Sequence, residues 1–359
     1  MTGVLARYLA REIFAASAVV LFAFLGLFAF FDFLNEVEDI GRDGYELYHA
    51  VVFVAMILPG RVYELMPVVV LIGTLYALTT LAKNSEITVM RASGLSTLGM
   101  LRTLGAIGMV FVAITFVFGE YLAPPAERAA QQWRLTATGS AVSSQLRSGL
   151  WVKDGANVIN VRTVLADRTM ERVRIFEFDA TQALQSFSEA ARGVYDAEAK
   201  TWRLTDVRQT RFLGERTEVV DLPEIGWRSE LSPEVLSVLM VSPQRMSVAT
   251  LFAYIEHLRD NRQNADRFEI ALWKKLSYPF AVLVMMALAL PFAFMHDRMG
   301  GVSVRVFLGI MLGVGFHLLN GLFSNLAVIN SWQPALAALT PSMIFLVAAA
   351  VMLYTVERR

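Results

Sequence analysis

Apolar blocks long enough to cross a bilayer crowd both ends of this chain, and no other feature narrows its possible folds as much. A spanning helix needs about 20 mostly apolar residues. Blocks of that order lie at 13–31, 58–81, 98–121, 276–294, 304–328 and 335–354. In hydrocarbon the backbone groups of such a run must pair within the run, as an α-helix pairs them. The expected fold class is therefore an α-helical membrane protein with six transmembrane helices. Of the 359 residues, 55% are hydrophobic, against about 45–50% in soluble domains even with glycine counted. The excess sits in these blocks, while the middle of the chain reads as ordinary soluble sequence.

Arg7 and Arg11 precede the first block, as they would in a signal peptide. The block exceeds a signal core of about 7–15 residues, and Asp32-Phe33-Leu34-Asn35-Glu36 follows it in place of a small-residue cleavage site. It reads as a retained first helix. The second apolar region, 51–81, is interrupted by Pro59-Gly60-Arg61-Val62-Tyr63-Glu64. One long helix kinked at Pro59 and Pro67 is expected, because proline removes backbone donors, with 51–57 at the interface. The third span is expected to end at Ala123-Pro124-Pro125.

Lysine and arginine in short loops set orientation. Arg7 and Arg11, then Lys83, Arg91 and Arg102, then Arg298 and Arg305, and finally Arg358 and Arg359 fall on one side if the spans number six. The opposite side is acidic after the first span, with Asp32, Glu36, Glu38, Asp39, Asp43 and Glu46. Both termini are expected in the cytoplasm and the middle block on the outer side, the periplasm in a Gram-negative cell. The domains then divide as 1–123 (spans one to three, with a cytoplasmic segment at about 82–96), 124–264 (the periplasmic domain) and 265–359 (spans four to six).

The middle block reads as all-β. Strand formers cluster at Val158-Ile159-Asn160-Val161, Val173-Arg174-Ile175-Phe176-Glu177-Phe178, Trp202-Arg203-Leu204 and Thr217-Glu218-Val219-Val220, separated by turns such as Asp154-Gly155 and Leu213-Gly214. Short strands at this spacing suggest a sandwich or jellyroll. Leu251, Tyr254, Ile255 and Leu258 instead recur at helical spacing, so 247–259 is expected to be a helix leading back to the membrane.

Charge and motif content give no support to an enzyme. Formal net charge is zero, so no basic field argues for nucleic acid. There are no cysteines and hence no thiol chemistry. The chain has no phosphate loop, no metal-ligand spacing and no nucleophile elbow. His49, His257, His296 and His317 are scattered, and His317 suits a helix-packing hydrogen bond. No cofactor or metal is expected in the chain.

Four groups of residues carry the functional reading. Ala82 to Ser96 is short and amphipathic and closes with Gly94, as a helix C-terminus would. Its Ile87, Met90 and Val89 form a candidate apolar ridge beside Glu86, with Arg91 following. It is either a solvated connector or a helix that docks into a cytoplasmic subunit. Arg61 and Glu64, three apart, are either a local ion pair or part of a substrate path. Lys274 and Lys275 lie on the side away from the positive bias, where an anionic lipid headgroup would suit them; Arg128 and Arg134 follow span three on that face. Phe24, Phe28, Phe316 and Leu319 are candidates to hold acyl chains, with lipid-facing packing the alternative.

Over essentially its full length the chain resembles the lipopolysaccharide-export ABC-transporter permeases of the YjgP/YjgQ type. Ser85-Glu86-Ile87-Thr88-Val89-Met90-Arg91-Ala92-Ser93-Gly94 is similar to the coupling-helix pattern that both of the family's permease types share. Gly149-Leu150-Trp151-Val152-Lys153-Asp154-Gly155, Leu231-Ser232-Pro233-Glu234, and Trp273-Lys274-Lys275 running into Met285-Met286-Ala287-Leu288 resemble the LptG type. The resemblance implies a non-catalytic subunit that pairs with a paralogous permease of LptF type above a cytoplasmic ATPase dimer of LptB type, which binds the ATP and magnesium. It also implies a place in the bacterial inner membrane, a single-span jellyroll partner of LptC type, a periplasmic bridge protein, and lipopolysaccharide as cargo. By the same resemblance, Glu86, with Ile87, Met90 and Arg91 around it, engages the ATPase, and Arg134 helps to hold lipopolysaccharide phosphates. Substrate roles for Lys274, Lys275, Arg61, Phe28 and Phe316 are this chain's own candidates. Phe33-Leu34-Asn35-Glu36-Val37-Glu38 departs from the family, being acidic where some members carry lysines. The other reading of the chain is a membrane scaffold or sensor with an outer β-domain and no transport.

Overall fold

The apolar blocks are helices, and several outrun the blocks that announce them. The structure is a computed structural model that describes the chain except for residues 1, 42–43, 139–148, 166–168, 180, 200, 215, 230–241, 261–262, 295–301, 331 and 359. Among the described residues six helices are long and apolar enough to cross a membrane. They comprise α1 (Thr2–Val37), α2 (Leu47–Lys83), α4 (Thr97–Val117) with its continuation α5 (Ala123–Thr138), α7 (Asp266–Phe294), α8 (Val302–Ile329) and α9 (Pro334–Glu357). Two shorter helices are also present among the described residues, α3 (Glu86–Ala92) and α6 (Val248–Asp260). The window that marks α2 as a span is 78% buried and that of α7 67%, against 11% for α1 and 22% for α8. Helices α2 and α7 therefore form the middle of the bundle, and α1 and α8 lie on its flanks.

Proline breaks neither the second nor the third span, although the sequence suggested a stop in the third. Helix α2 runs as one element through Pro59 and Pro67, as expected. The third span does not stop at Pro124-Pro125. A single π turn, Phe118–Leu122, joins α4 to α5. There the Ala123 N–H reaches back five residues to the Phe118 carbonyl. A widened turn makes room for the rings and sets both prolines in the first turn of the next helical segment, where no N–H is required of them. The helix therefore runs on to Thr138, with Ala130 and Trp133 packed against Phe53, Val54 and Ile57 of α2, so part of the block read as β is helical.

Close helix contacts use small residues, as membrane bundles do. A Cβ on Gly73 of α2 would stand 2.6 Å from the Ser17 Cα and 2.7 Å from the Ser17 N of α1. A Cβ on Gly119 would stand 2.5 Å from the Tyr63 ring.

The inserted domain is a six-stranded antiparallel meander in the order β1 (Leu150–Asp154), β2 (Asn157–Val164), β3 (Met170–Phe178), β4 (Leu184–Asp196), β5 (Thr201–Leu213) and β6 (Arg216–Trp227). The all-β expectation holds, but the described strands follow one another in a single sheet, not in two sheets with Greek-key crossings. One sheet makes its own core through a fault line. Inward residues alternate within each strand and then skip one position: Ile159, Val161 then Val164; Met170 then Val173, Ile175; Ala190 then Gly193; Trp202, Leu204 then Val207. The skips align across the sheet at Arg162, Arg172, Ala191, Asp206 and Pro223, a row the registered pairs pass over. Arg172 and Asp206 have left-handed backbone, φ 52° and 54°. An extra residue per strand bends a sheet as a bulge does. Residues from both sides of the line accordingly meet in one apolar cluster around Trp202.

The chain returns to the bundle through a short turn, Pro243–Arg245, and α6, whose Leu251, Tyr254, Ile255 and Leu258 are all buried as their spacing required. Leu231-Ser232-Pro233-Glu234 lies outside the described residues.

Candidate functional site

Where α2 packs against the end of α1 and against α5, charges that the sequence spaces far apart come together in an ionic belt. Asp32 and Glu36 are four apart near the end of α1 and share a face. The Arg61 guanidinium of α2 grips Asp32 with two bonds, Nε to Oδ2 at 2.9 Å and Nη2 to Oδ1 at 2.6 Å, and donates to Glu64 at 2.8 Å. The expected Arg61–Glu64 pair is present, but Asp32 is the tighter partner. Arg61 also lies over the Phe28 ring, 5.6 Å from its centroid.

One helix turn away the pattern repeats. Arg134 of α5 pairs with Asp39 at 2.6 Å and with Glu36 at 3.4 Å, and covers the Phe53 ring at 5.5 Å. Glu36 is only 5% exposed and also accepts a 2.9 Å bond from the Tyr45 hydroxyl. Burial first, and that bond second, hold the Tyr45 phenol protonated well above its ordinary range. Trp133 donates to the His49 carbonyl at 3.2 Å and fixes α5 against the start of α2.

The lysines are placed differently. Both lie inside α7, not at its start. Lys275 is buried, donates to the Met246 carbonyl and stands 5.7 Å from the Tyr63 ring centroid. It lines a crevice of about 30 Å³ with Arg61, Glu64, Gly119, Glu127 and Arg245. Arg245 pairs with Glu127, and Glu120 accepts from the Val248 N–H at the first turn of α6 at 2.8 Å. Lys274 is half-buried near the Glu64 carboxylate. Phe316 is not presented to a ligand: it is 2% exposed and packs between Tyr278 and Phe345 in the chain's own core. Of the two readings the sequence offered for it, acyl-chain contact and lipid-facing packing, neither describes this position in the bundle core.

At the opposite end of the bundle α3 is a clipped helix. Ser85 before it has left-handed backbone, φ 63°. After it Gly94, φ 93°, lets its own N–H reach the Arg91 carbonyl at 2.9 Å and the Leu95 N–H reach Met90 at 3.1 Å. This pairing closes a helix C-terminus and requires a residue that tolerates positive φ. Ile87 and Met90 do not form an outward ridge. Both are buried in the main bundle core with Leu81, Met100 and Leu104. The outward face carries Thr88, Val89 and Arg91. Glu86 is half-buried and accepts a 2.9 Å bond from the Tyr8 hydroxyl of α1, while Arg91 lies 5.0 Å from the Phe294 ring centroid.

The sequence singled out Arg61, Arg134 and Lys275 and the Arg61–Glu64 pair, but not Asp32, Glu36 and Asp39 as partners of the two arginines. Their signal was present: acids at i and i+4 at the end of a span, with arginines near the same boundary of two other helices.

Together these features define a polytopic membrane protein with a β domain inserted between its third and fourth spans and an ionic belt that ties α1, α2 and α5 together. The family model described as lipopolysaccharide export system permease LptF/LptG matches residues 7–355, and the chain belongs to that family. It is 32% identical over 346 residues to the lipopolysaccharide export system permease protein LptG of Escherichia coli strain K12, covering 96% of each chain. To the protein of the same description from Haemophilus influenzae it is 28% identical over 347 residues, covering 97% of each.

Proposed function

We propose that this chain is a permease subunit of the LptG type in a complex that extracts lipopolysaccharide from the bacterial inner membrane and passes it to a periplasmic bridge toward the outer membrane. The observation that carries this reading is the family match from residue 7 to 355, through all six spans and the inserted sheet. The chain makes and breaks no covalent bond. A separate cytoplasmic ATPase dimer binds ATP and magnesium, and its different affinities for two permease conformations supply the work.

In this reading both termini and α3 are cytoplasmic and the sheet is periplasmic, which fits the basic residues near the α3 end and the acidic stretch after α1. A paralogous permease of LptF type completes the membrane part, and a single-span partner of LptC type carries a further β domain. The exposed face of α3, with Val89 and Arg91 beside Glu86, docks on the motor, while Ile87 and Met90 anchor α3 to the bundle so that it moves spans two and three with it. Arg61, Arg134 and Lys275 sit where phosphates of a lipid headgroup would meet the bundle, with Phe28 below Arg61 on the apolar side.

Affinity purification from native membranes in mild detergent tests the assembly. The expected companions are a second six-span permease and a cytoplasmic ATPase, with the ATPase lost on Glu86→Lys or Val89→Asp. Recovery of the chain alone, under conditions that preserve other ABC complexes, would refute the reading in favour of a scaffold or sensor.

A further inference from the structure

The ionic belt contains more than the cations a phosphorylated lipid needs. Each arginine already holds carboxylates supplied by α1 and the turn after it. Arg61 has both oxygens of Asp32, at 2.6 and 2.9 Å, and Arg134 has Asp39 at 2.6 Å and Glu36 at 3.4 Å. The carboxylates are not loosely hydrated neighbours: the Asp32 side chain is 11% exposed and that of Glu36 7%. The guanidinium groups remain reachable, at 22% and 26% exposed. Arginine binds carboxylate and phosphate through the same planar fork of donors, so the two ligands compete for one set of N–H groups.

We infer that Asp32, Glu36 and Asp39 are internal counter-ions that set the selectivity of this permease. They occupy Arg61 and Arg134, and a lipid headgroup must carry phosphate with more than one negative charge to displace them. This rests on the reading that these arginines meet the substrate headgroup. A singly charged or zwitterionic lipid gains too little from the exchange, because each guanidinium gives up an existing charge-assisted pair to accept a new one. A dense phosphate cluster, with several oxygens and more than one charge, wins it. The carboxylates thereby exclude the bulk phospholipids that surround the bundle. Tyr45 supports the arrangement by holding Glu36 through its hydroxyl at 2.9 Å, which keeps that carboxylate aimed at Arg134 when the lipid is absent.

The test measures binding of fluorescent lipopolysaccharide, and of the same lipid stripped of its phosphates, to the assembled nucleotide-free complex in nanodiscs. The variants are Asp39→Asn, Asp32→Asn, Glu36→Gln and Arg134→Gln. Asp39→Asn is expected to tighten binding of the phosphorylated lipid by roughly three- to tenfold at low salt, the scale of one charged pair near a surface. It should leave the stripped lipid unchanged and allow a bulk anionic phospholipid to compete. In an Arg134→Gln background Asp39→Asn should have no further effect. Asp39 is the more exposed of Arg134's two acids, so this variant remains informative if Glu36→Gln fails to fold. If Arg134→Gln weakens binding but Asp39→Asn does not tighten it, the counter-ion role is refuted while the substrate contact stands. If Arg134→Gln changes nothing, the substrate contact itself is refuted. If Asp39→Asn weakens binding, the carboxylate holds the lipid through a bridging cation, and the proposal is overturned.

Discussion

Replacing Gly73 by valine should loosen α1 from the rest of the bundle. The Cβ it adds would sit 2.6 and 2.7 Å from the Cα and N of Ser17, atoms of the opposing backbone that cannot rotate aside. Ordinary carbon contacts stand at about 3.5–4.0 Å, so the two helices must part by roughly 1 Å. Overpacking of this kind costs about 1–3 kcal/mol, and the better helix propensity of valine over glycine returns only a few tenths. Little else compensates, since only 11% of the apolar window of α1 is buried. Leu9 and Ile13, fully buried about two turns and one turn before Ser17, would loosen with it. Graded SDS unfolding of the purified chain in mixed micelles reads the free energy. Gly105→Val on α4 is the control, because a Cβ there meets no atom within 4 Å. Gly73→Val should fall below the control by about 1–3 kcal/mol. Equal unfolding midpoints would refute the claim that this crossing is limited by backbone contact.

Ile87→Ala should cost about 2–4 kcal/mol in the same assay, since the side chain is 3% exposed in the main core, whereas Val89→Ala should leave stability within about 0.5 kcal/mol. Trp202→Ala should cost about 3–5 kcal/mol and strip hydrogen-exchange protection from the whole sheet, because the ring is fully buried in its only described core. Arg172→Gly should be neutral or stabilising by up to about 1 kcal/mol, because it relieves a left-handed backbone, while Asp206→Val should destabilise. Neutralising the exposed Arg174–Glu189 pair should change stability by less than about 1 kcal/mol, as read in the same denaturant series.

Span number, the unbroken α2 and the helix at Val248–Asp260 were legible because each follows from one periodicity or one length. The path of the third helix was not. Pro124-Pro125 signals a stop, and only the π turn before it permits continuation, a feature of backbone hydrogen bonding that no residue pattern in 118–122 announces. The sheet was legible strand by strand but not in its bend, which depends on five strands skipping a position in the same row, so that the two halves of each strand follow alternations that do not join. In the belt, Arg61–Glu64 is local in sequence and was readable. Arg134–Asp39 spans 95 positions, and the alignment of α1 with α5 that creates it is a property of packing. Ile87 and Met90 were correctly seen as an apolar ridge, but a seven-residue helix gives no sign of whether its ridge faces a partner or its own bundle.

Reconstitution tests the central claim most directly. This chain would be placed with the proposed paralogous permease, single-span partner and ATPase in lipopolysaccharide-loaded proteoliposomes, with transfer to a soluble bridge protein followed by cross-linking. The account predicts transfer that requires ATP and this chain, and that falls to background on Glu86→Ala while lipopolysaccharide binding persists. ATP-dependent transfer of equal rate without this chain would contradict it.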